Sequence, residues 1–315
     1  MFLVCGEALW DLFAVEGKDG LTFDARIGGS PFNVAVGLAR LQQKSALLTG
    51  MSRDHMGQRL AAALTREQVD TQYLIGTDRP STLSVVDIGP DGGPAYTFYG
   101  HDAADRSVRI EDLPVFGPDV WGIHAGSYSL VAEPVGTSLL TLFEREAGRR
   151  LITLDPNVRL NVEPDTAIWR ERVGRFAAHA DLIKVSDEDL GLIFPGATAS
   201  EIAGRWLASG ASLVVVARGE SGAETFTKDS SFSIAGNRIE LADTVGAGDT
   251  FQAAMIAGLS GLGVWSRQAL DRLPEDSLKA LIGYAVQAAG ITCSRRGADL
   301  PHLHELPPLQ VGVSF

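Results

Sequence analysis

Asp243-Thr244-Val245-Gly246-Ala247-Gly248-Asp249-Thr250-Phe251 runs straight into Gln252-Ala253-Ala254-Met255-Ile256-Ala257, a turn of small residues feeding an Ala-rich helix. Gly246, Ala247 and Gly248 carry almost no side chain, so their backbone N–H groups can face an anion at the positive end of the helix dipole. Asp249 is the odd member, because a carboxylate beside a phosphate costs electrostatic energy. Accepting the proton of an attacking hydroxyl would justify it. Capping the helix is the plainer alternative.

Upstream of this turn, short apolar runs alternate with amphipathic helical stretches. The runs are Phe2 to Cys5, Ala46 to Thr49, Trp121 to His124, Leu151 to Leu154, Leu182 to Val185 and Leu213 to Val216. Such a rhythm predicts an α/β fold, a doubly wound and mostly parallel sheet with helices on both faces. The first helix is signalled by Ser30 as N-cap, Pro31 at the first position, and Val34, Leu38 and Leu41 on one buried face. Two inserts, at about 12–27 and 82–106, break the rhythm and read as β-rich. The second is centred on a Pro90-Asp91-Gly92-Gly93 turn. Together they predict a small β-sheet lid over a ligand crevice, within a single domain spanning 1–315. A surface hairpin is the plainer alternative.

The chain of 315 residues has 27 Lys plus Arg against 39 Asp plus Glu, a formal net charge of −12. That balance argues against nucleic acid or an anionic membrane as partner. Cys5 and Cys293 have neither metal-ligand spacing nor a disulfide framework, which suits the cytoplasm. No basic segment of signal-peptide type opens the sequence, and no apolar stretch approaches membrane-spanning length.

Neither G-x-x-x-x-G-K-[ST] nor a strand-to-helix G-x-G-x-x-G is present, which argues against a P-loop NTPase and an NAD-dependent oxidoreductase. The pair formed by Gly28-Gly29-Ser30-Pro31-Phe32-Asn33-Val34-Ala35 and Asp243 to Asp249 resembles the two signatures of the ribokinase-like carbohydrate kinases, the phosphofructokinase B family. Within it the chain is most similar to the bacterial fructokinases. The resemblance implies an ATP-dependent sugar kinase using Mg²⁺, with Asp249 as general base and the amides of Gly246, Ala247 and Gly248 as an anion hole. A kinase for 2-keto-3-deoxygluconate or ribose is the alternative in the same class. A catalytically silent sugar- or nucleotide-binding module is the alternative outside it.

Carried over residue by residue, the resemblance implies that Asp11 and Asn33 contact the sugar, that Gly28 and Gly29 form a hinge, and that Arg159 of the Asp155-Pro156-Asn157-Val158-Arg159 stretch lends positive field. Lys184, Arg218, Gly219, Gly222 and Gly248 are implied around the nucleotide. Lys184-Val185-Ser186-Asp187-Glu188-Asp189 stands in the place of an N-x-x-E motif, with Ser186 for Asn and Asp189 for Glu. Asp189 or the neighbouring Glu188 would then act on Mg²⁺ through water. Ala217 stands where a Thr or Ser is usual. Asp243, Val245 and Gly297 are implied around a monovalent cation, K⁺ being the option the family offers. The apolar lid residues Val86, Phe98 and Tyr99 suggest a homodimer through the lid.

Overall fold

All six apolar runs become strands of one sheet. The computed structural model describes residues 1–17, 20–88 and 94–309, so the Pro90–Gly93 turn lies outside the described residues. In chain order the strands are β1 (Phe2–Cys5), β2 (Leu9–Gly17), β3 (Gly20–Gly28), β4 (Ser45–Ser52), β5 (Leu74–Thr77), β6 (Thr82–Ile88) and β7 (Pro94–Tyr99). They continue with β8 (Gly122–Gly126), β9 (Leu151–Asp155), β10 (Leu182–Ser186), β11 (Leu213–Ala217), β12 (Ala223–Phe226) and β13 (Ser231–Ile234). The helices are α1 (Ser30–Arg40), α2 (His55–Arg66), α3 (Val135–Glu146), α4 (Thr166–Ala177), α5 (Asp187–Ile193), α6 (Ala199–Ser209), α7 (Ala247–Gly261), α8 (Arg267–Asp271) and α9 (Glu275–Cys293).

The large sheet has the order β13-β12-β11-β10-β9-β8-β1-β4-β5, parallel throughout except for the antiparallel β11–β12–β13 edge. Strands covered on both faces read as unbroken apolar runs, which is why β1 is Phe-Leu-Val-Cys without a polar alternate. Its side chains still point to opposite faces. Leu3 and Cys5 join a core with Leu139, Phe143, Trp169 and Phe176, from helices α3 and α4. Phe2 and Val4 join a second core with Val34, Leu38, Met255 and Leu281, from α1, α7 and α9.

Small residues bring α1 and α7 together. A Cβ on Gly37 would stand 2.8 Å from Ala253 Cβ, so a larger residue there would push the two helices apart. That close approach sets the distance between Asn33 and Asp249.

The smaller sheet has the order β3-β2-β6-β7. The predicted inserts supply it, although residues 104–106 of the second form a short 3₁₀ turn rather than strand. Its faces differ from expectation. Val86 is buried, and Phe98 packs edge-on to Tyr128 with ring centres 5.9 Å apart. Tyr99 is exposed as expected, and the other large exposed apolar side chains of this sheet among the described residues are Val15, Leu21, Phe23 and Tyr96.

Candidate active site

Parallel strands carry their carboxyl ends to one edge, where a doubly wound fold binds its ligands. At that edge β9 ends in Asp155, β10 contributes Lys184 and Ser186, and β11 leads into Arg218. Helix α7 begins above them. Gly246 is its N-cap in the left-handed region, φ 78°, where glycine is favoured. A Cβ at Gly248 would stand 2.9 Å from Lys184 Nζ, so the turn lies directly against that ammonium group.

Asp249, in the first turn of α7, is only 6% exposed. Both of its carboxylate oxygens accept hydrogen bonds from α1. Ser30 Oγ donates to Oδ1 at 2.6 Å, and Asn33 Nδ2 donates to Oδ2 at 2.7 Å. Ser30 therefore departs from its expected capping role. Gly29 is the N-cap of α1, its carbonyl accepting the Asn33 N–H at 2.9 Å, and the Ser30 hydroxyl is turned to Asp249 instead.

Helix starts leave their first amides without intrahelical acceptors. The Ala247 N–H donates to the Thr244 carbonyl at 3.2 Å, and Thr250 N–H donates to the Gly246 carbonyl at 2.9 Å. Ala247 is thus engaged locally, while the amides of Gly246, Gly248 and Asp249 have no backbone acceptor among the described residues.

Lys184 and Asp155 form a buried ion pair of 2.8 Å, 4% and 0% exposed respectively. Burial pushes the Asp155 carboxyl up to about 6 against the opposing pull of Lys184. Its second oxygen, Oδ1, is buried without a partner. Asp189 is also buried, and its Oδ1 accepts the Val158 N–H at 3.0 Å, which fixes the loop that carries Arg159. Glu188 beside it is exposed. Among the described residues no group of three or more His, Cys, Asp or Glu forms a metal cage. This donor set suits a Mg²⁺ that arrives on substrate phosphates and takes one or two carboxylates from the protein.

Asp11 lies on β2 beside the Gly28 end of β3. A Cβ on Gly28 would stand 2.2 Å from Asp11 Oδ2. Burial raises the Asp11 carboxyl, moderated by the Ser84 hydroxyl and the charge of Arg159. The small sheet also reaches the Gly297 turn: a Cβ on Gly297 would stand 3.0 Å from Arg26 Nη1 of β3. There Asp243 ties two turns together, accepting the Val245 N–H at 3.1 Å and the Gly297 N–H at 2.8 Å. Since its oxygens hold those amides, a cation beside it would draw ligands from the carbonyls of the same two turns.

Two of the expected nucleotide residues differ in kind. Gly219 has φ 51° and nothing within 4 Å of a Cβ position, leaving open backbone for a ligand. Gly222 has a structural reason to be glycine, since its Cβ would stand 2.0 Å from the Ile234 carbonyl of β13. Arg218 is exposed and paired with Glu224.

Sequence reading passed over Glu7. It is 1% exposed, its Oε2 accepts the Ser129 hydroxyl at 2.5 Å, and its carbonyl abuts Gly29, where a Cβ would be 2.7 Å away. Burial pushes its carboxyl up to about 7 from the ordinary 4.5. The folded chain thus holds this proton more tightly than the unfolded chain. The stabilisation is complete below pH 4.5 and lost as pH rises through 7. Glu7→Gln is expected to remove a pH-dependent component of about 3 kcal/mol. Urea titrations of both proteins at pH 5 and pH 8 check this: the stability difference between them should change by most of that amount, favouring Gln at pH 8.

The pfkB family carbohydrate kinase profile matches residues 1–305. A fructokinase of Rhizobium leguminosarum bv. trifolii is 37% identical over 282 residues, 89% of this chain and 86% of the relative. A fructokinase from Xylella fastidiosa with bound ATP has the same fold, at a TM-score of 0.88 and 24% identity over 96% of each chain. A fructokinase double mutant from Vibrio cholerae O395, in a form with fructose, ADP and potassium ion bound, superimposes at a TM-score of 0.83 with 26% identity over 97% of each chain. With its two signature segments joined directly by the Ser30 and Asn33 hydrogen bonds to Asp249, this chain belongs to the pfkB family of carbohydrate kinases.

Proposed function

We propose that this protein is a fructokinase, moving the γ-phosphoryl group of ATP to the C6 hydroxyl of fructose with Asp249 as general base. The observation that carries the reading is the meeting of Asp249, the Gly248 turn and the buried Lys184 at the first turn of α7. Phosphoryl transfer asks a protein for position and charge more than for covalent chemistry. Asp249 would take the sugar proton late in the reaction, so its placement counts for more than its basicity. The Gly248 and Asp249 amides and the Lys184 ammonium would face charge on the phosphoryl oxygens. Asp11 would hold sugar hydroxyls, and Arg159 would add positive field.

Mg²⁺, when bound, would neutralise the triphosphate, and Glu188 and Asp189, on the helix that follows Lys184, are the carboxylates that would reach it through water. Asp243, Val245 and Gly297 would frame a K⁺ site. The small sheet, bridging from Asp11 to Gly297 through Arg26, would close over the crevice and exclude water. Its exposed Leu21, Phe23 and Tyr99 would form a homodimer contact, and Leu21→Glu with Tyr99→Glu should shift the protein to monomer in light scattering. Cys5 and Cys293 are both free thiols, in keeping with a reducing cytoplasm.

Comparing kcat/KM for fructose, ribose, 2-keto-3-deoxygluconate and tagatose tests the substrate. Fructose should lead by about tenfold or more, the scale that a few directional hydrogen bonds supply. A lead for any other of the four overturns the assignment.

A further inference from the structure

Asp249 is held on both sides by one helix face. Ser30 and Asn33 stand three positions apart on α1, so both side chains project toward the same partner, and each takes a different carboxylate oxygen. Their circumstances differ. Asn33 is implied in sugar contact, so its amide has a second ligand to serve. Ser30 is 7% exposed and spends its hydroxyl on Asp249 alone among the described residues. It is also the first residue after Gly28-Gly29, where the small sheet joins the helix.

We propose that Ser30 is a positioning residue for Asp249: its hydroxyl holds Oδ1 while Oδ2 passes from the Asn33 amide to the hydroxyl of the phosphoryl acceptor. The tether keeps the carboxylate plane fixed while its other oxygen changes partner. Because Ser30 follows the glycine pair, movement of β3 is felt directly at the base. This proposal rests on the reading of Asp249 as general base.

Steady-state kinetics on Ser30→Ala, Ser30→Gly, Ser30→Thr and Asp249→Asn, with the Ser30→Ala/Asp249→Asn double variant, test it. Ser30→Ala should lower kcat on the order of tenfold to a hundredfold, the scale of a hydrogen bond to a charged group. The sugar KM should stay within about threefold, since the lost bond acts on the base and not on ground-state binding. Ser30→Thr, which keeps the hydroxyl, should recover most of the loss. In the Asp249→Asn background the Ser30→Ala change should shrink to less than about threefold, because a residue acting through Asp249 has nothing left to position.

Ser30→Gly removes the hydroxyl together with Cβ, and it carries the test should Ser30→Ala fold poorly. Unchanged kcat in both, a loss confined to KM, or an equal loss in both backgrounds overturns the tether. Near-normal turnover in Asp249→Asn overturns the base reading itself, whatever Ser30 does.

Discussion

Asp249→Asn is expected to lower kcat by about 10²–10⁴, the usual contribution of a positioned general base. The substitution preserves shape, so the helix start and the crevice should persist. One local conflict arises: the new amide can meet Ser30 through its oxygen, but its NH₂ would face the Asn33 NH₂ across a 2.7 Å contact. Turning over the Asn33 amide resolves that clash, so the stability loss should stay near the worth of one hydrogen bond, about 1 kcal/mol. Stopped assays for ADP give turnover, and calorimetry gives sugar affinity. Retained sugar binding with lost turnover is the expected pair of results; a variant turning over at more than a tenth of the original rate contradicts the role.

Lys184→Met is expected to have the largest effect on stability. Its ammonium group compensates the fully buried Asp155 at 2.8 Å, and among the described residues no other cation bonds that carboxylate. Removing one partner of a buried pair strands the other, at about 3–5 kcal/mol. Urea titration at pH 8 should show a lower midpoint with an unchanged slope. Lowering the pH should shrink the loss, because an unpaired Asp155, already raised to about 6 with its partner present, can take a proton instead. The same substitution removes positive charge from beneath the Gly248 turn, and kcat should fall by about 10² or more. A stable variant with full turnover would show that the pair is neither structural nor catalytic.

The large sheet was legible in the sequence for a specific reason. Strands buried on both faces must be largely apolar, and β1, β8, β9, β10 and β11 are, with His124, Thr153, Asp155, Lys184 and Ser186 as the polar exceptions. Strands β5 and β13 at the edges, and β12 beside β13, are short and mix polar with apolar residues, so no such run marks them. Local signals also mislead when their partner is distant. Ser30 before Pro31 has the pattern of a helix cap, yet its hydroxyl bonds a residue 219 positions away. Gly222 resembles a nucleotide glycine, while its conformation answers to the β13 carbonyl beside it. The Lys184–Asp155 pair joins neighbouring strands, and only strand register brings the two together.

The central claim, that Asp249 serves transfer to a sugar hydroxyl, is met most directly by phosphorus NMR of a reaction containing the protein, ATP, Mg²⁺ and fructose, run beside the Asp249→Asn variant. The expected spectrum shows a sugar phosphate on C6 growing in step with ADP, and no such signal from the variant over the same interval. ADP accompanied by free phosphate alone, or the same sugar phosphate formed equally fast by the variant, would contradict it.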